Sequence, residues 1–303
     1  MKKILVTGAN GLLGQKLVAL LIQQPNIQTI ATARGQNRLP FTAGYVYHSL
    51  DITNRTEVED VIATTRPDVV IHGAAMTNVD QCEAEKEACW LQNVTAVQYI
   101  VEACRKHGAF LCHVSTDFIF DGAAGPYTEE AEANPLSFYG WSKYAAEKIV
   151  QHSGLRWAIA RTVLVYGIAH DMSRSNIILW VKKSLEEGKH INVVTDQWRT
   201  PTLAEDLATG CWLIAQKEAE GIFNISGKDL LTPYEMALMT ADYFGLDQSL
   251  ISPADSSNFS QPAKRPARTG FILDKAQKVL GYEPFSFNEG IALLASQLSI
   301  SAT

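Results

Sequence analysis

The opening of the chain places three glycines between a short apolar strand and a helix. Residues 3–7 are predicted to form the strand and residues 12–24 the helix, and between them Gly8, Gly11 and Gly14 follow the spacing G-x-x-G-x-x-G. Glycine permits a tight turn with positive φ and a close backbone approach to a bound group, and the helix that follows offers unpaired N–H groups. The arrangement predicts a loop that binds the diphosphate of a dinucleotide. The loop residues expected to contact it are Gly8, Asn10, Gly11, Leu12, Leu13 and Gly14.

Strand-like and helix-like segments alternate through the first half of the chain. Near-continuous apolar strands separated by helices are typical of a parallel sheet covered on both faces, and right-handed crossovers then give a doubly wound Rossmann fold. The sequence predicts strands at residues 3–7, 27–33, 45–50, 68–72, 110–115 and 157–165, and helices at residues 12–24, 55–65, 83–107 and 138–152.

The alternation weakens after about residue 166, where prolines separate shorter helices. We therefore expect an α/β chain with two unequal units, for which 303 residues are sufficient. Residues 1–165 are predicted to form the dinucleotide-binding Rossmann domain, completed by a segment near residues 190–220. Residues 166–303 are predicted to form mainly a smaller, substrate-binding α/β domain.

The composition argues against several classes of function. The net charge is −6 without a long basic run, which argues against nucleic acid as a partner. The apolar run at the N-terminus breaks at Gly8, and there is no uninterrupted apolar stretch of about 18 residues, so neither a signal peptide nor a membrane span is expected. The five cysteines are an odd number without a C-x-x-C pair. This predicts free thiols in a reducing cytoplasm and no metal site.

The end of the second predicted strand carries the residues expected to distinguish NADP(H) from NAD(H). A carboxylate at this point would bind the ribose 2′-hydroxyl, but residues 32–38 contain no acid. Arg34 instead offers a planar guanidinium group that can pair with a 2′-phosphate, and Arg38 is within reach. The sequence therefore favours NADP(H) over NAD(H). The alternative is that Arg34 is a solvated loop charge.

Tyr139 and Lys143 stand four residues apart in the predicted helix 138–152 and share one of its faces. A phenol with a pKa of about 10 is a poor acid or base at neutral pH, and a nearby ammonium group together with an oxidised nicotinamide ring would lower that pKa. The phenol can then give its proton to a carbonyl oxygen as hydride arrives. Lys143 also suits the hydroxyl groups of the nicotinamide ribose.

The same spacing occurs a second time, as Tyr144 with Lys148. The two tyrosines are separated by about 140° around a helix, so only one of them can face the cofactor. We choose Tyr139 because of its setting in the pattern Pro-x-x-x-Tyr-Gly-x-Ser-Lys, and expect Tyr144 to be a packing or surface residue.

The strand predicted at residues 110–115 ends in Ser115 and Thr116. Hydroxyl groups at the carboxyl edge of a parallel sheet point into the ligand crevice, so Thr116 could donate to the substrate oxygen beside Tyr139. The alternative is a capping or turn role for Ser115 and Thr116.

Together these residues resemble the dTDP-4-dehydrorhamnose reductase family of extended short-chain dehydrogenases, over most of the chain. The markers are residues 74–80 (AAMTNVD), 115–122 (STDFIFDG), 139–143 (YGWSK), 161–167 (RTVLVYG), 196–202 (DQWRTPT) and 265–266 (RP). The resemblance implies NAD(P)H-dependent reduction of a 4-keto group on a nucleotide sugar. It also implies that Thr116, Tyr139 and Lys143 are the catalytic residues.

The resemblance assigns further contacts. Asp51, followed by Ile52, would contact adenine, and Ala74 and Ala75 would line the cofactor path. Asn93 matches in position the asparagine that supports the lysine through water. The expected sugar contacts are Thr77, Val79 and Asp117.

Two arginines are candidates for the substrate diphosphate, because guanidinium groups match phosphate geometry. They are Arg199 and Arg265, and the alternative for each is a surface ion pair.

The chain departs from the family at Leu164, Phe118 and the pair Trp198-Arg199, which puts the identity of the sugar in doubt. Phe118 also replaces the glutamate of related dehydratases, whose reaction needs that second acid–base group, so dehydration is disfavoured. An epimerase remains an alternative. So does a regulatory role, since the β subunit of methionine adenosyltransferase resembles the chain through the same motifs, with partner binding as its task. A homodimer also remains open.

Overall fold

The computed structural model describes residues 1–171 and 175–301, and a parallel β-sheet forms its centre. The strands are β1 (Lys2–Thr7), β2 (Ile27–Ala33), β3 (Tyr45–Ser49), β4 (Val69–His72), β5 (Phe110–Thr116), β6 (Trp157–Thr162), β7 (Val165–Tyr166), β8 (Ile191–Val194), β9 (Thr202–Leu203), β10 (Gly221–Asn224) and β11 (Ile251–Ala254). The α-helices are α1 (Leu12–Leu21), α2 (Arg55–Thr65), α3 (Val79–Ala84), α4 (Lys86–Trp90), α5 (Ala96–His107), α6 (Phe138–Gln151), α7 (Ile177–Glu186), α8 (Ala204–Lys217), α9 (Pro233–Phe244) and α10 (Phe287–Ser301).

Within the described residues, seven strands form the central sheet in the order β10-β6-β5-β4-β1-β2-β3, and all neighbours are parallel. From β1 the chain steps outward to β3 and then returns to the other side of β1 as β4. The connections that follow β1 and β4 therefore leave in opposite directions, which opens a crevice at the carboxyl ends of these two strands. The predicted doubly wound α/β fold is confirmed.

Helices cover both faces of the sheet, which explains why its strands are almost continuously apolar. Successive residues of β1 point to opposite faces. Val6 packs in one core with Leu17 of α1 and Leu207 of α8, whereas Leu5 packs in a second core with Ile62 of α2. Since neither face is exposed to water, both residues of each alternating pair in a central strand have to be apolar.

The C-terminal part of the chain builds a smaller unit beside the sheet. β8 pairs with β11 and β7 pairs with β9, both in parallel. α7 and α9 share a small core that includes Val181 and Ala237. The sequence predicts that a segment near residues 190–220 completes the Rossmann domain. In the structure this segment contains α8, which packs on α1. The strand that extends the sheet is β10, just beyond that segment, and β8 belongs to the smaller unit instead.

The helix predicted over residues 83–107 is interrupted in the structure. α3 and α4 are separated at Glu85, whose φ of −121° and ψ of 61° are not helical. Residues Leu91–Thr95, between α4 and α5, form a π-helical turn that contains Asn93. Such widened turns are frequent at functional sites, and periodicity of apolar residues does not reveal them.

The strand predicted over residues 157–165 is divided as well. β6 ends at Thr162 and β7 begins at Val165, because Leu164 between them has a left-handed φ of 34°. The bend turns the chain away from the sheet at its carboxyl edge and into the smaller unit.

Three general features concern chemistry. In the described part of the chain, no helix combines the length and apolar character needed to cross a membrane. All five cysteines are buried, and none is joined in a disulfide bond within the described residues. Over residues 1–171 and 175–301, no group of three or more His, Cys, Asp or Glu side chains could hold a metal ion.

Candidate active site

The glycine loop after β1 lies directly against the segment that follows β4. Gly8 has a φ of 73°, and a Cβ atom there would lie 3.1 Å from the backbone of Ala74. A Cβ atom on Gly14 would lie 2.2 Å from the carbonyl oxygen of Gly8, so the start of α1 can pack this closely only with glycine. Gly11 precedes α1 without a side-chain cap, which leaves the first amides of the helix available for an anion.

Asn10 connects the glycine loop to the loop after β2. Its Nδ2 atom donates to the carbonyl oxygen of Gln36 at 2.9 Å, and its Oδ1 atom accepts from the amide of Arg38 at 3.0 Å. The side chain therefore holds the two loops that were predicted to bind the cofactor next to each other. Leu12 and Leu13 begin α1 and are half-buried beside them.

The predicted phosphate-binding arginine is exposed at the end of β2. The Arg34 side chain makes no hydrogen bond or close ion pair to any residue the structure describes, and its charge acts on Asp51 after β3. Burial acts to raise the pKa of Asp51, but hydrogen bonds from Thr53 and the charge of Arg34 outweigh it and hold the pKa below its usual value. Arg38 forms an exposed ion pair with Asp171 at 3.5 Å. The site thus offers an uncapped helix start, a glycine-lined turn and an exposed arginine. These features suit a dinucleotide that carries a 2′-phosphate.

Tyr139 and Thr116 come together because α6 begins very close to the end of β5. Ser137 caps α6 by accepting a hydrogen bond from the amide of Gly140 at 3.2 Å. A Cβ atom on Gly140 would lie 2.2 Å from the carbonyl oxygen of Phe118, so only glycine allows this approach. The hydroxyl group of Thr116 lies close enough to Tyr139 to act on the pKa of the phenol, and the two side chains are only 6% and 8% exposed.

Burial raises the pKa of Tyr139 above its usual value. The lowering predicted from the sequence requires an oxidised nicotinamide ring beside the phenol as well as the ammonium group of Lys143, and it stays a prediction. The Nζ atom of Lys143 donates to the carbonyl oxygen of Val114 in β5 at 2.7 Å. In the protein alone the phenol is therefore held protonated, which is the form that a proton donor requires.

Lys143 is almost completely buried, at 3% exposure. Burial lowers the pKa of Lys143 to about 8, against the opposing influence of the charge of Glu147 and of the Cys89 thiol. The lysine thus stays largely charged at neutral pH but is much easier to deprotonate than a lysine in water.

Asn93 acts on the segment after β4 and on α6, and its contacts are direct. Its Oδ1 atom accepts from the amide of Met76 at 2.8 Å, and its Nδ2 atom donates to the carbonyl oxygen of Met76 and to Ser142 Oγ, each at 3.0 Å. Ser142 immediately precedes Lys143, so Asn93 positions the lysine's helix.

The residues predicted to contact sugar surround the same end of the sheet. Val79 begins α3 and belongs to a small apolar cluster with Tyr139, and Thr77 is exposed just before it. Asp117 faces inward: it is 2% exposed, accepts hydrogen bonds from Thr116 and Thr269, and burial raises its pKa. Ala74 and Ala75 are half-buried beside the glycine loop.

The two arginines chosen for a diphosphate have partners within the protein. Arg265 forms a two-pronged ion pair with Asp80, at 2.7 and 3.2 Å. Arg199 is 5% exposed and donates to the carbonyl oxygens of Trp198, Pro266 and Ala267. Arg199 therefore links two loops of the chain, and its Nε atom also lies 3.8 Å from Oδ2 of the buried Asp117. Arg265 would have to share or leave its carboxylate to bind phosphate.

Sequence reasoning missed two buried histidines, His72 at the end of β4 and His113 in β5, each 1% exposed. His113 lies 3.3 Å from the Nζ atom of Lys143. The available signal was a polar side chain in an otherwise apolar strand, which is unusual in a buried parallel sheet.

Comparison with known proteins agrees with this site. The model of the family described as "RmlD substrate binding domain" matches residues 1–300. The chain is 30% identical to dTDP-4-dehydrorhamnose reductase of Aggregatibacter actinomycetemcomitans, covering 96% of this chain and 97% of that protein. It is 32% identical to methionine adenosyltransferase 2 subunit beta of Mus musculus, covering 84% and 76%.

Solved structures show the same fold. A dTDP-4-dehydrorhamnose reductase from Clostridium acetobutylicum superposes with a TM-score of 0.86 at 28% identity, covering 98% of this chain and 99% of that one. The dTDP-4-dehydrorhamnose reductase of Bacillus anthracis, solved in complex with NADP, gives a TM-score of 0.83 at 27% identity, with coverage of 98% and 100%.

Proposed function

This chain belongs to the RmlD substrate binding domain family, and from that premise we propose that it is an NADPH-dependent reductase of a keto group on a nucleotide sugar. The substrate that we expect first is dTDP-4-dehydrorhamnose, with dTDP-L-rhamnose as the product. The observation that carries the proposal is the neighbouring buried pair Thr116 and Tyr139 at the carboxyl edge of the sheet, one helical turn from Lys143.

The reaction follows from these three side chains. When bound, NADPH supplies the hydride to the carbonyl carbon. Tyr139 gives its phenolic proton to the carbonyl oxygen, and burial keeps that proton on the phenol until it is needed. Thr116 donates a hydrogen bond to the same oxygen and so orients the carbonyl group. Lys143 binds the nicotinamide ribose and places positive charge near the phenol as negative charge develops on it.

The residues proposed to hold NADPH lie along one edge of the sheet. The glycine loop from Gly8 to Gly14 would bind the diphosphate, Arg34 the 2′-phosphate, and Asp51 with Ile52 the adenine. The preference for NADPH is testable apart from activity. NADPH should raise the melting temperature of the protein more than NADH does, and Arg34→Ala should remove the difference. Equal shifts in the wild-type protein would end the assignment of Arg34 as the phosphate reader.

A hollow in the smaller unit is proposed to take the nucleoside of the substrate. Its volume is about 480 Å³, and its walls come from α7, β8 and the segment before Ala263. Trp180 of α7 is 41% exposed and lines the hollow with Phe259, so aromatic rings are available for a base to stack on. The chain continues from this hollow to Arg265, whose ion pair with Asp80 reaches α3 beside the predicted sugar contacts. We expect Trp180→Ala to raise KM for the nucleotide sugar more than it lowers kcat.

The central experiment is NADPH oxidation on addition of dTDP-4-dehydrorhamnose to the purified protein. Tyr139→Phe is expected to abolish turnover, because the proton donor is removed and the ring is kept. Tyr144→Phe is the matched control: it lies in the second copy of the spacing, and its ring contacts Trp141 and Lys148 at the surface. Loss of activity in Tyr144→Phe alone would reverse the assignment of the catalytic tyrosine.

A regulatory role is the second candidate, favoured by the 32% identity to methionine adenosyltransferase 2 subunit beta over 84% of the chain. That protein is a subunit of another enzyme, so the expected signature is stable association with a methionine adenosyltransferase catalytic subunit and no turnover of any keto-sugar. Turnover that depends on Tyr139, without such association, supports the reductase.

A further inference from the structure

A row of buried polar side chains crosses the centre of the sheet below the active site. Thr7 of β1, His72 of β4 and His113 of β5 are register partners on adjacent strands. Each is about 1% exposed, and the two imidazole rings stack with centroids 5.4 Å apart. His72 Nδ1 is hydrogen-bonded to Thr7 Oγ1 at 2.8 Å, which fills one end of the row.

The other end of the row contacts Lys143. The Nζ atom of Lys143 lies 3.3 Å from His113 Nε2 and 2.7 Å from the carbonyl oxygen of Val114. An ammonium group has three donors and no acceptor, so His113 Nε2 has to be the acceptor while the lysine is charged. The ring proton of His113 must then sit on Nδ1. Burial and the charge of Lys143 hold the pKa of His113 well below its usual value, which keeps the imidazole neutral and able to accept.

We propose that His113 is a positioning residue for the active site: its Nε2 atom accepts a hydrogen bond from Lys143 and fixes the direction in which the ammonium group points. Two acceptors on β5, one from a side chain and one from the backbone, define two of the three donor directions of the ammonium group. The third is then left for the ribose of a bound nicotinamide nucleotide. The catalytic consequence rests on the reductase function proposed above, whereas the contact itself does not depend on it.

His113 has no comparable partner elsewhere. Its Nδ1 atom is buried without a hydrogen-bond partner among the described residues, as is His72 Nε2. A buried polar atom left unpaired is unfavourable and calls for an explanation. The bond from Lys143 gives His113 a function that an apolar residue in β5 could not supply.

The contact has a consequence for the pH dependence of catalysis. The titratable groups that act on the pKa of Lys143 are Glu147 on its own helix and Cys89 of α4, and both raise it. The charge of Lys143 in turn lowers the pKa of the stacked histidines of β4 and β5. The acceptor stabilises the ammonium form of Lys143. Without it, the lysine should lose its proton at lower pH, and the alkaline limb of kcat should move to lower pH.

The first test needs no cofactor and no substrate. In the full-length protein labelled with ¹⁵N-histidine, long-range ¹H–¹⁵N correlation spectra distinguish the two neutral tautomers from imidazolium. The signal that disappears in His113→Gln is assigned to His113. We expect neutral His113 with the proton on Nδ1 at pH 7, and a shift of its Nε2 resonance in Lys143→Met. A proton on Nε2, an imidazolium ion, or no response to Lys143→Met would overturn the proposal.

The second test compares three substitutions of equal burial. His113→Leu removes the acceptor, His113→Gln keeps an oxygen close to the position of Nε2, and His72→Leu removes the stacked neighbour that does not contact Lys143. Loss of one hydrogen bond to a charged group is expected to lower kcat about tenfold or more in His113→Leu. In this variant the alkaline limb of the pH profile of kcat should move to lower pH. His113→Gln and His72→Leu should keep the wild-type profile.

The outcomes separate this proposal from the reductase proposal. An unmoved alkaline limb in His113→Leu, or the same displacement in His72→Leu, would reduce His113 to a packing residue. If the wild-type protein turns over no keto-sugar, the reductase proposal fails, and the tautomer spectrum still decides whether His113 accepts from Lys143.

Discussion

Helix α6, which carries Tyr139 and Lys143, is attached to the sheet by a buried ion pair whose loss should be costly. Arg161 of β6 donates to both carboxylate oxygens of Glu147, at 3.0 and 2.8 Å, and the two side chains are only 4% and 0% exposed. In Glu147→Gln one of these oxygens becomes an NH₂ group, which cannot accept. The guanidinium charge then remains buried without the carboxylate charge, and its partners are the remaining amide oxygen, the carbonyl oxygen of Glu129 and the ring of Phe120.

The magnitude follows from the burial. Removing one partner of a buried pair costs about 3–5 kcal/mol, because the other charge stays desolvated. With an unfolding entropy of about 2.1 cal/mol/K per residue, a chain of 303 residues has about 0.64 kcal/mol/K. The melting temperature of Glu147→Gln should therefore fall by about 5–8 °C, measured by calorimetry at neutral pH.

The matched control is an ion pair with the same separation at the surface. Arg55 and Glu102 are also 2.8 Å apart, but their side chains are 70% and 29% exposed. Exposed pairs contribute at most about 1 kcal/mol, so Glu102→Gln should shift the melting temperature by less than about 2 °C. Equal shifts in the two variants would refute the argument from burial. The double variant Glu147→Met, Arg161→Met should be more stable than Glu147→Gln, since no charge is left unpaired.

Three further predictions follow from buried groups near α6 and α8. Burial raises the pKa of Asp206 to about 7. Since the folded state then binds more protons than the unfolded state between about pH 4 and 7, stability should fall as pH rises through that range. Asp206→Asn can still accept from the amide of Phe285, and its melting temperature at pH 8 should exceed that of the wild type, with the advantage gone near pH 4. Burial lowers the pKa of Lys143 from 10.5 to about 8, so denaturant titrations of the cofactor-free wild type should show stability rising between those pH values, and Lys143→Met should lack that part of the rise. Gly140→Ala places a Cβ atom 2.2 Å from the carbonyl oxygen of Phe118, and the forced shift of α6 should cost about 1–3 kcal/mol and lower kcat by about a hundredfold.

Local signals were sufficient for much of the Rossmann domain. The helix predicted over residues 55–65 is α2 in the structure, because Asn54 caps it and Arg66 ends it with a left-handed φ of 45°. The strand predicted over residues 27–33 is β2. By contrast, the pairing of β8 with β11 joins two four-residue strands far apart in sequence, and such pairs are set by tertiary packing rather than by periodicity.

The same distinction applies to the site. The glycine loop and the Tyr139–Lys143 spacing are local patterns, and the structure places both at the carboxyl edge of the sheet. The engagement of Arg265 depends on Asp80, which lies 185 residues away in sequence, so no local pattern could reveal it. A guanidinium group in isolation suits a phosphate or a carboxylate equally well, and only the fold decides which of them it meets.

The two copies of the Tyr-x-x-x-Lys spacing show that spacing alone does not distinguish the two tyrosines. Both have the same spacing on one helix, yet Tyr139 is 8% exposed and lies beside Thr116, whereas Tyr144 lies half-buried under an exposed lysine. What distinguishes the first copy is the convergence of buried polar groups from separate elements, including Asn93 in its π-helical turn and His113 in an apolar strand. Asn93 lies where the α-helical pattern is interrupted, and His113 interrupts the apolar pattern of its strand. A domain tolerates such polar residues in buried elements where contacts between them compensate for the cost. Polar exceptions in buried elements therefore locate this site more specifically than the spacing of tyrosine and lysine does.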